Sequence, residues 1–255
     1  MNVSKTFIVF SIGLFSMVAQ AIVFREFIAS FDSGVISVAL FFFSWLFWTS
    51  ISSFTVINIA FLRSSIRKIA PLCFIAYIPA FILQFFLFFK FRDIIGLKQY
   101  QELNSIETLF FVLILNSPIS ILTSIFFQSA SDWIAEDRNK PTSVTHRAEA
   151  AGAFIGGFAS TILFYLGINS CTLAIIASLP ISIACPFALK SRARFIALII
   201  PALLLFTVIS GYEIKISEHI ARKKWGRIVP EENYIKSFRT EQAEYSFGNY
   251  HGQII

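Results

Sequence analysis

Charge is what this sequence most lacks. Only 14% of its 255 residues are Asp, Glu, Lys or Arg, where a soluble domain carries about a quarter. So little charge cannot clothe a water-facing surface, which excludes an ordinary soluble globular domain. The net charge of +6 calls for no nucleic-acid partner, because Lys and Arg cluster between apolar segments rather than forming a basic face. Cysteine is scarce as well: Cys73, Cys171 and Cys185 all lie within apolar segments, with no C-x-x-C spacing, and such thiols behave as small buried hydrophobes. His146, His219 and His251 are scattered, so no metal site is expected. No G-x-G-x-x-G occurs and no loop sets paired carboxylates opposite a nucleophile. The residues therefore point to no cofactor and no catalytic group.

What is present is apolar and aromatic, at 56% hydrophobic residues and 31 Phe. Apolar runs over 6–31, 35–62, 69–89, 106–128, 148–166, 171–189 and 195–212 approach the roughly 20 residues that a hydrocarbon core requires. The expected fold is an all-α polytopic membrane protein, a bundle of about seven transmembrane helices over residues 1–212. A polar tail, 213–255, follows as a short helix plus incomplete β-strands, where a soluble domain begins. Ala19-Gln20-Ala21 after Lys5 also fits a signal-peptide cleavage site, which would leave six spans. The apolar pattern continues through Ile22, Val23 and Phe24, however, and that favours an uncleaved first helix.

Ten basic residues (Lys5, Arg63, Arg67, Lys68, Arg138, Lys140, Arg147, Lys190, Arg192, Arg194) fall on the N-terminal side of seven spans. The opposite short loops carry four: Arg25, Lys90, Arg92 and Lys98. The positive-inside rule then predicts a multi-pass protein of the inner (plasma) membrane with a cytoplasmic N-terminus. Basic residues in the tail, Lys215 to Arg227, pull the other way.

Two stretches stand out. Ala148, Gly152, Gly156 and Ser160 recur every fourth residue, which on a helix makes a small-residue ridge suited to close packing. Glu149 and Gly157 flank it. Gln20, Arg25 and Glu26 form a polar set at the end of the first helix, and polar groups at membrane depth need partners. Pro118 should kink the fourth span. The polar residues Gln20, Asn58, Gln84, Asn116, Gln128 and Glu149 admit two readings, interhelical glue or the lining of a path through the bundle.

Gln20-Ala-Ile-Val-Phe-Arg25-Glu26 with Gly34, Glu149-Ala-Ala-Gly152-Ala-Phe-Ile-Gly156-Gly157, and Tyr245-Ser-Phe-Gly248-Asn-Tyr250 before Gly252-Gln253 together resemble the membrane-integrated spermidine synthase-like proteins of bacteria. The resemblance implies a polytopic membrane half followed by an aminopropyltransferase-type domain, of which only the opening strands are present here. That domain's nucleoside loop and acidic residues are absent, so no aminopropyl transfer is expected of this chain. Anchoring or docking of a soluble synthase-like domain or subunit is the function that the resemblance implies. A small transporter or substrate-binding bundle is the alternative.

Overall fold

The computed structural model describes residues 3–31, 34–97, 103–135, 141–188, 199–225, 234–239, 244–248 and 253–254. The first apolar run, lacking any internal Pro, forms a single 28-residue helix, α1 (Val3–Ser30). α2 (Val35–Asn58) follows and closes at Ile59, where the backbone turns extended. α3 (Ala60–Ile94) then runs 35 residues without interruption. The basic stretch from Arg63 to Lys68 therefore lies inside a helix rather than in the turn expected of it. Lys and Arg are good helix formers, and nothing between Ala60 and Ile69 breaks a helix.

α4 (Ser105–Ala135) opens on a reciprocal cap. Asn104 Oδ1 accepts from the backbone N–H of Ile106 (3.0 Å) and Glu107 (2.9 Å), and Glu107 Oε2 accepts from the N–H of Asn104 (3.0 Å). α5 (Pro141–Tyr165) ends at Gly167, whose φ of 79° lets the chain turn. Asn169 Oδ1 then caps α6 (Ser170–Ala188) by accepting from Thr172 N at 2.8 Å. The tight turn expected at 167–170 is thus present. α7 (Ile199–Ile209) and α8 (Tyr212–Trp225) complete the helices. Three short antiparallel strands, β1 (Tyr234–Arg239), β2 (Glu244–Gly248) and β3 (Gln253–Ile254), pair in the order β1-β2-β3.

Four helices among the described residues are long and apolar enough to cross a membrane: α1, α2, α4 and α5. Seven spans are not supported among the described residues. The described helix α7 covers 11 residues, about 16 Å, and the apolar stretch of α6 described over Ser170–Ala184 is also shorter than 18 residues. The 35-residue α3 runs alongside α1, from Tyr77 beside Ser16 to Phe91 beside Phe31.

α1 is the centre of the bundle. Its most apolar stretch is 61% buried, against 17% for α2 and 22% for α5, and α5, α6 and α3 pack around it. α2 in turn packs chiefly on α4. Near the C-terminal end of α1, Phe24, Phe27, Phe31, Phe41, Phe88 and Phe91 form a continuous aromatic cluster, in which Phe31 stacks on Phe91 at 4.4 Å. The outer faces of α2 and α5 carry exposed Val35, Phe43, Leu46, Phe54, Phe154 and Phe158. Such apolar faces suit lipid rather than water.

Candidate functional site

The ridge on α5 meets α1 backbone to backbone. A Cβ added at Gly152 would lie 2.0 Å from the carbonyl oxygen of Phe10, and one at Gly156 would lie 2.5 Å from that of Leu14. The contact is reciprocal, since a Cβ at Gly13 would come within 2.2 Å of the Glu149 carbonyl oxygen. Only hydrogen fits in these three places, and the glycine Cα–H groups face carbonyl oxygens across the interface. Gly157 stands slightly aside, 3.4 Å from the flexible Met17 side chain by the same construction. Val9 packs with Ala148 at one end of the pair, and Arg25 lies over the Phe164 ring at the other. α1 and α5 therefore run parallel.

A polar seam crosses the bundle beside this pair. Pro118 has no N–H to donate to the Ile114 carbonyl, and Ser117 Oγ donates to that oxygen instead (2.8 Å). The next amide, Ile119 N–H, donates to Gln84 Oε1 from α3 (3.0 Å). Gln84 Nε2 donates to Asn116 Oδ1 (2.9 Å), and Asn116 Nδ2 donates to Ser44 Oγ (2.9 Å) and the Phe41 carbonyl (3.2 Å) on α2. A network beside one proline thus joins three helices, and each side-chain amide nitrogen and oxygen of Gln84 and Asn116 has a partner within it.

Against this seam lies a cavity of about 180 Å³, lined in part by Gln20 and Met17 from α1, Phe42 and Trp45 from α2, Gln84 from α3, and Asn116 and Ser120 from α4. The Trp45 indole N–H is buried and has no hydrogen-bond partner. One turn away, Trp48 Nε1 donates to the Leu113 carbonyl at 2.7 Å. Two tryptophans expected only as residues inside a span thus differ, one with its N–H satisfied and the other with its N–H buried and unpaired. α1 and α2 make little close backbone approach although they are consecutive. Met17 and Phe42, both partly exposed to the outside of the bundle, border the gap between them.

Farther along the seam, Tyr77 donates to Ser16 Oγ (3.0 Å) and hydrogen-bonds to Thr123 Oγ1. A small void of about 10 Å³ adjoins them, bordered by Ser16, Thr123, Thr145 and Glu149. It is the size of a single water. Glu149 lies 3.9 Å from the exposed His146 and seven residues into the span that starts at Thr142, about 10 Å deep.

The three polar residues at the end of α1 do not converge. Gln20 faces the cavity. Arg25 instead turns to α5, with Cζ 4.9 Å from the Phe164 ring centre and Nη1 buried without a partner. Glu26 is buried at 5% exposure. Five residues separate Gln20 from Arg25, about 140° around a helix, so adjacency in sequence does not bring them to one face. Of the six polar residues that could line a path, Gln20, Gln84 and Asn116 meet at the cavity. Asn58 is outward-facing and donates to the Phe54 carbonyl at 2.8 Å, and Glu149 opens on the separate small void. Ser44, Tyr77, Trp45 and Ser120 complete the seam without having carried any sequence signal beyond being polar within apolar runs.

Among the described residues no group of His, Cys, Asp and Glu is arranged to hold a metal ion. No protein-family model, no curated protein and no solved structure matches the chain.

Proposed function

We propose that this chain is a membrane-embedded binding module that holds a small molecule in the cavity among α1, α2, α3 and α4. The cavity of about 180 Å³, whose mostly apolar lining includes the amides of Gln20, Gln84 and Asn116, carries the reading. The kink-associated network supports the same reading, because it fixes the wall through Gln84 and Asn116 and so presents the cavity preformed. Filling the space with Ala21→Phe and recording native mass spectra from membrane extracts tests it. A small molecule that accompanies the parent protein and is lost from the variant supports binding. The absence of any such molecule in both, together with no small-molecule effect on unfolding, counts against it.

A second reading has its own support. Two of the three stretches that resemble spermidine synthase-like proteins lie largely on α1 and α5, which pack together along their length. Glu213, opening α8, lies within electrostatic reach of Cys171 at the start of α6, close after the α5 end that Arg25 covers. Arg25 Nη1 and Glu213 Oε2 each lack a hydrogen-bond partner within the protein. On this reading the chain is the membrane half of such a protein and docks a soluble synthase-like domain or subunit at that end. Co-purification with a co-expressed soluble synthase domain, abolished by Arg25→Ala, tests it. Undiminished co-purification of the Arg25→Ala variant would place the contact elsewhere.

A further inference from the structure

The depth, opening and chemistry of the cavity among α1, α2, α3 and α4 narrow its occupant, an inference that rests on the binding reading above. On α1 its lining extends from Met17 to Phe24, two turns or about 10 Å along the helix axis. The candidate span of α1 ends at Ile28, so these residues lie about 6 to 17 Å below that end. On α2, Phe41 and Trp45 lie inside the span that starts at Val35, at depths of about 9 and 15 Å. Both helices thus place the cavity in the acyl-chain region of one leaflet, which is half of a hydrocarbon core roughly 30 Å thick.

Exposure shows where the cavity opens. The lining from α3 and α4, which is Gln84, Asn116, Ile119 and Ser120, is buried, whereas Met17 on α1 and Phe42 on α2 are 39% and 44% exposed. The opening therefore lies between α1 and α2, on the side that faces lipid tails. No Asp, Glu, Lys or Arg borders the cavity, so an ammonium or carboxylate there would lose its water without gaining a counter-charge, at a cost of several kcal/mol. The Asn116 side chain, the Gln84 carbonyl and one Gln84 amide hydrogen are bonded within the protein, and Ser120 Oγ donates to the Asn116 backbone carbonyl at 2.6 Å. The second Gln84 amide hydrogen and the half-buried Gln20 amide are too few to hold a molecule rich in hydroxyls or amides. Val23, Phe24, Phe41, Phe42 and Ile119 offer only carbon.

We propose that the cavity seats one acyl chain of a bilayer phospholipid, which enters sideways between Met17 and Phe42 and lies along α1. The volume of about 180 Å³ slightly exceeds the roughly 150 Å³ apolar cavity that accommodates benzene, so it receives part of a chain and leaves the headgroup outside. A chain gains no hydrophobic energy by moving from bilayer to protein. Contact with a close-packed, fixed wall holds it instead.

The test uses the full chain in nanodiscs of phosphatidylcholine whose acyl chains carry bromine near mid-chain, because bromine quenches an indole on contact. With Trp48, Trp133 and Trp225 replaced by Phe, Trp45 should be quenched, and Ala21→Phe should remove about half of that quenching. The remainder comes from lipid on the exposed side of the ring. Ala21→Leu should fall between, and it decides the comparison if the larger substitution prevents folding. In a companion protein that keeps Trp48 as its one tryptophan, quenching should not depend on position 21. A Trp45 signal indifferent to both substitutions, or an equal loss at Trp48, overturns the acyl-chain assignment. Native mass spectra of the same samples should show one phospholipid retained by the parent and lost from the variants. A retained molecule that is not a lipid, lost from the variants in the same way, overturns the acyl chain and leaves the binding reading standing. No retained molecule and no dependence of quenching on position 21 overturn both.

Discussion

Gly152→Ala offers the sharpest perturbation, because its magnitude follows from backbone positions alone. The added methyl would sit 2.0 Å from the Phe10 carbonyl oxygen and 2.9 Å from both the Phe10 carbonyl carbon and the Leu14 nitrogen. All three are backbone atoms of a helix, so no side chain can rotate away, and α1 and α5 must part by more than about 1 Å to reach ordinary contact. A gap of that size forfeits a quarter to a half of the dispersion energy of the atoms facing it, and overpacking of this kind costs about 1–3 kcal/mol. Gly152→Ala should lie at the upper end of that range, about 3 kcal/mol. Gly13→Ala, at 2.2 Å, and Gly156→Ala, at 2.5 Å, should follow in that order. Gly157→Ala should be nearly neutral, since its methyl would meet only the Met17 side chain at 3.4 Å. Alanine is also the better helix former by about 1 kcal/mol, a gain common to all four sites that offsets part of each cost and leaves Gly157→Ala neutral or slightly stabilising. Reversible unfolding in mixed micelles titrated with sodium dodecyl sulfate reads the four differences directly. Equal destabilisation at Gly152 and Gly157, or none at Gly152, would refute the interlocked interface.

Other outcomes follow from the seam and the register. Gln84→Leu should cost about 1–3 kcal/mol by leaving the Ile119 amide unpaired, and combining it with Pro118→Ala should cost less than the sum, because a regular helix can reclaim that amide; strict additivity in the same unfolding assay would count against the link. Trp45→Phe should leave stability unchanged or raised, whereas Trp48→Phe should lose about 1 kcal/mol with its bond to Leu113; a reversed ranking would contradict the assignment of the unpaired indole. Cysteines at positions 9 and 148 should cross-link efficiently in a cysteine-free background, while positions 25 and 149 should not. Efficient coupling of 25 to 149 would rule out a parallel α1 and α5.

Some of this follows from composition and local pattern. An apolar, charge-poor chain must be helical where it meets lipid, because a helix alone satisfies its own backbone within one segment, and four helices long and apolar enough to cross a membrane among the described residues agree with that. The i, i+4 recurrence of Gly152 and Gly156 singles out a close-packing face from sequence alone, as does Gly167 for the turn after α5. The partner is beyond that pattern: Gly13 has no companion glycine four residues away in α1, and only the tertiary structure brings it to Glu149. The number of spans also escapes the sequence. Lys and Arg mark where a helix leaves the bilayer without breaking it, so the boundary expected near Arg63 falls at Ile59 instead. The site is the clearest case. Gln20, Gln84 and Asn116 could each have been glue, and two of them are, because the network beside Pro118 gives each side-chain amide nitrogen and oxygen of Gln84 and Asn116 a partner. Gln20 reaches the cavity because α1 and α2 make little close approach there. Hydrogen-bond capacity belongs to residue type, whereas whether it is used depends on what other helices bring within about 3 Å, and no single segment contains that information.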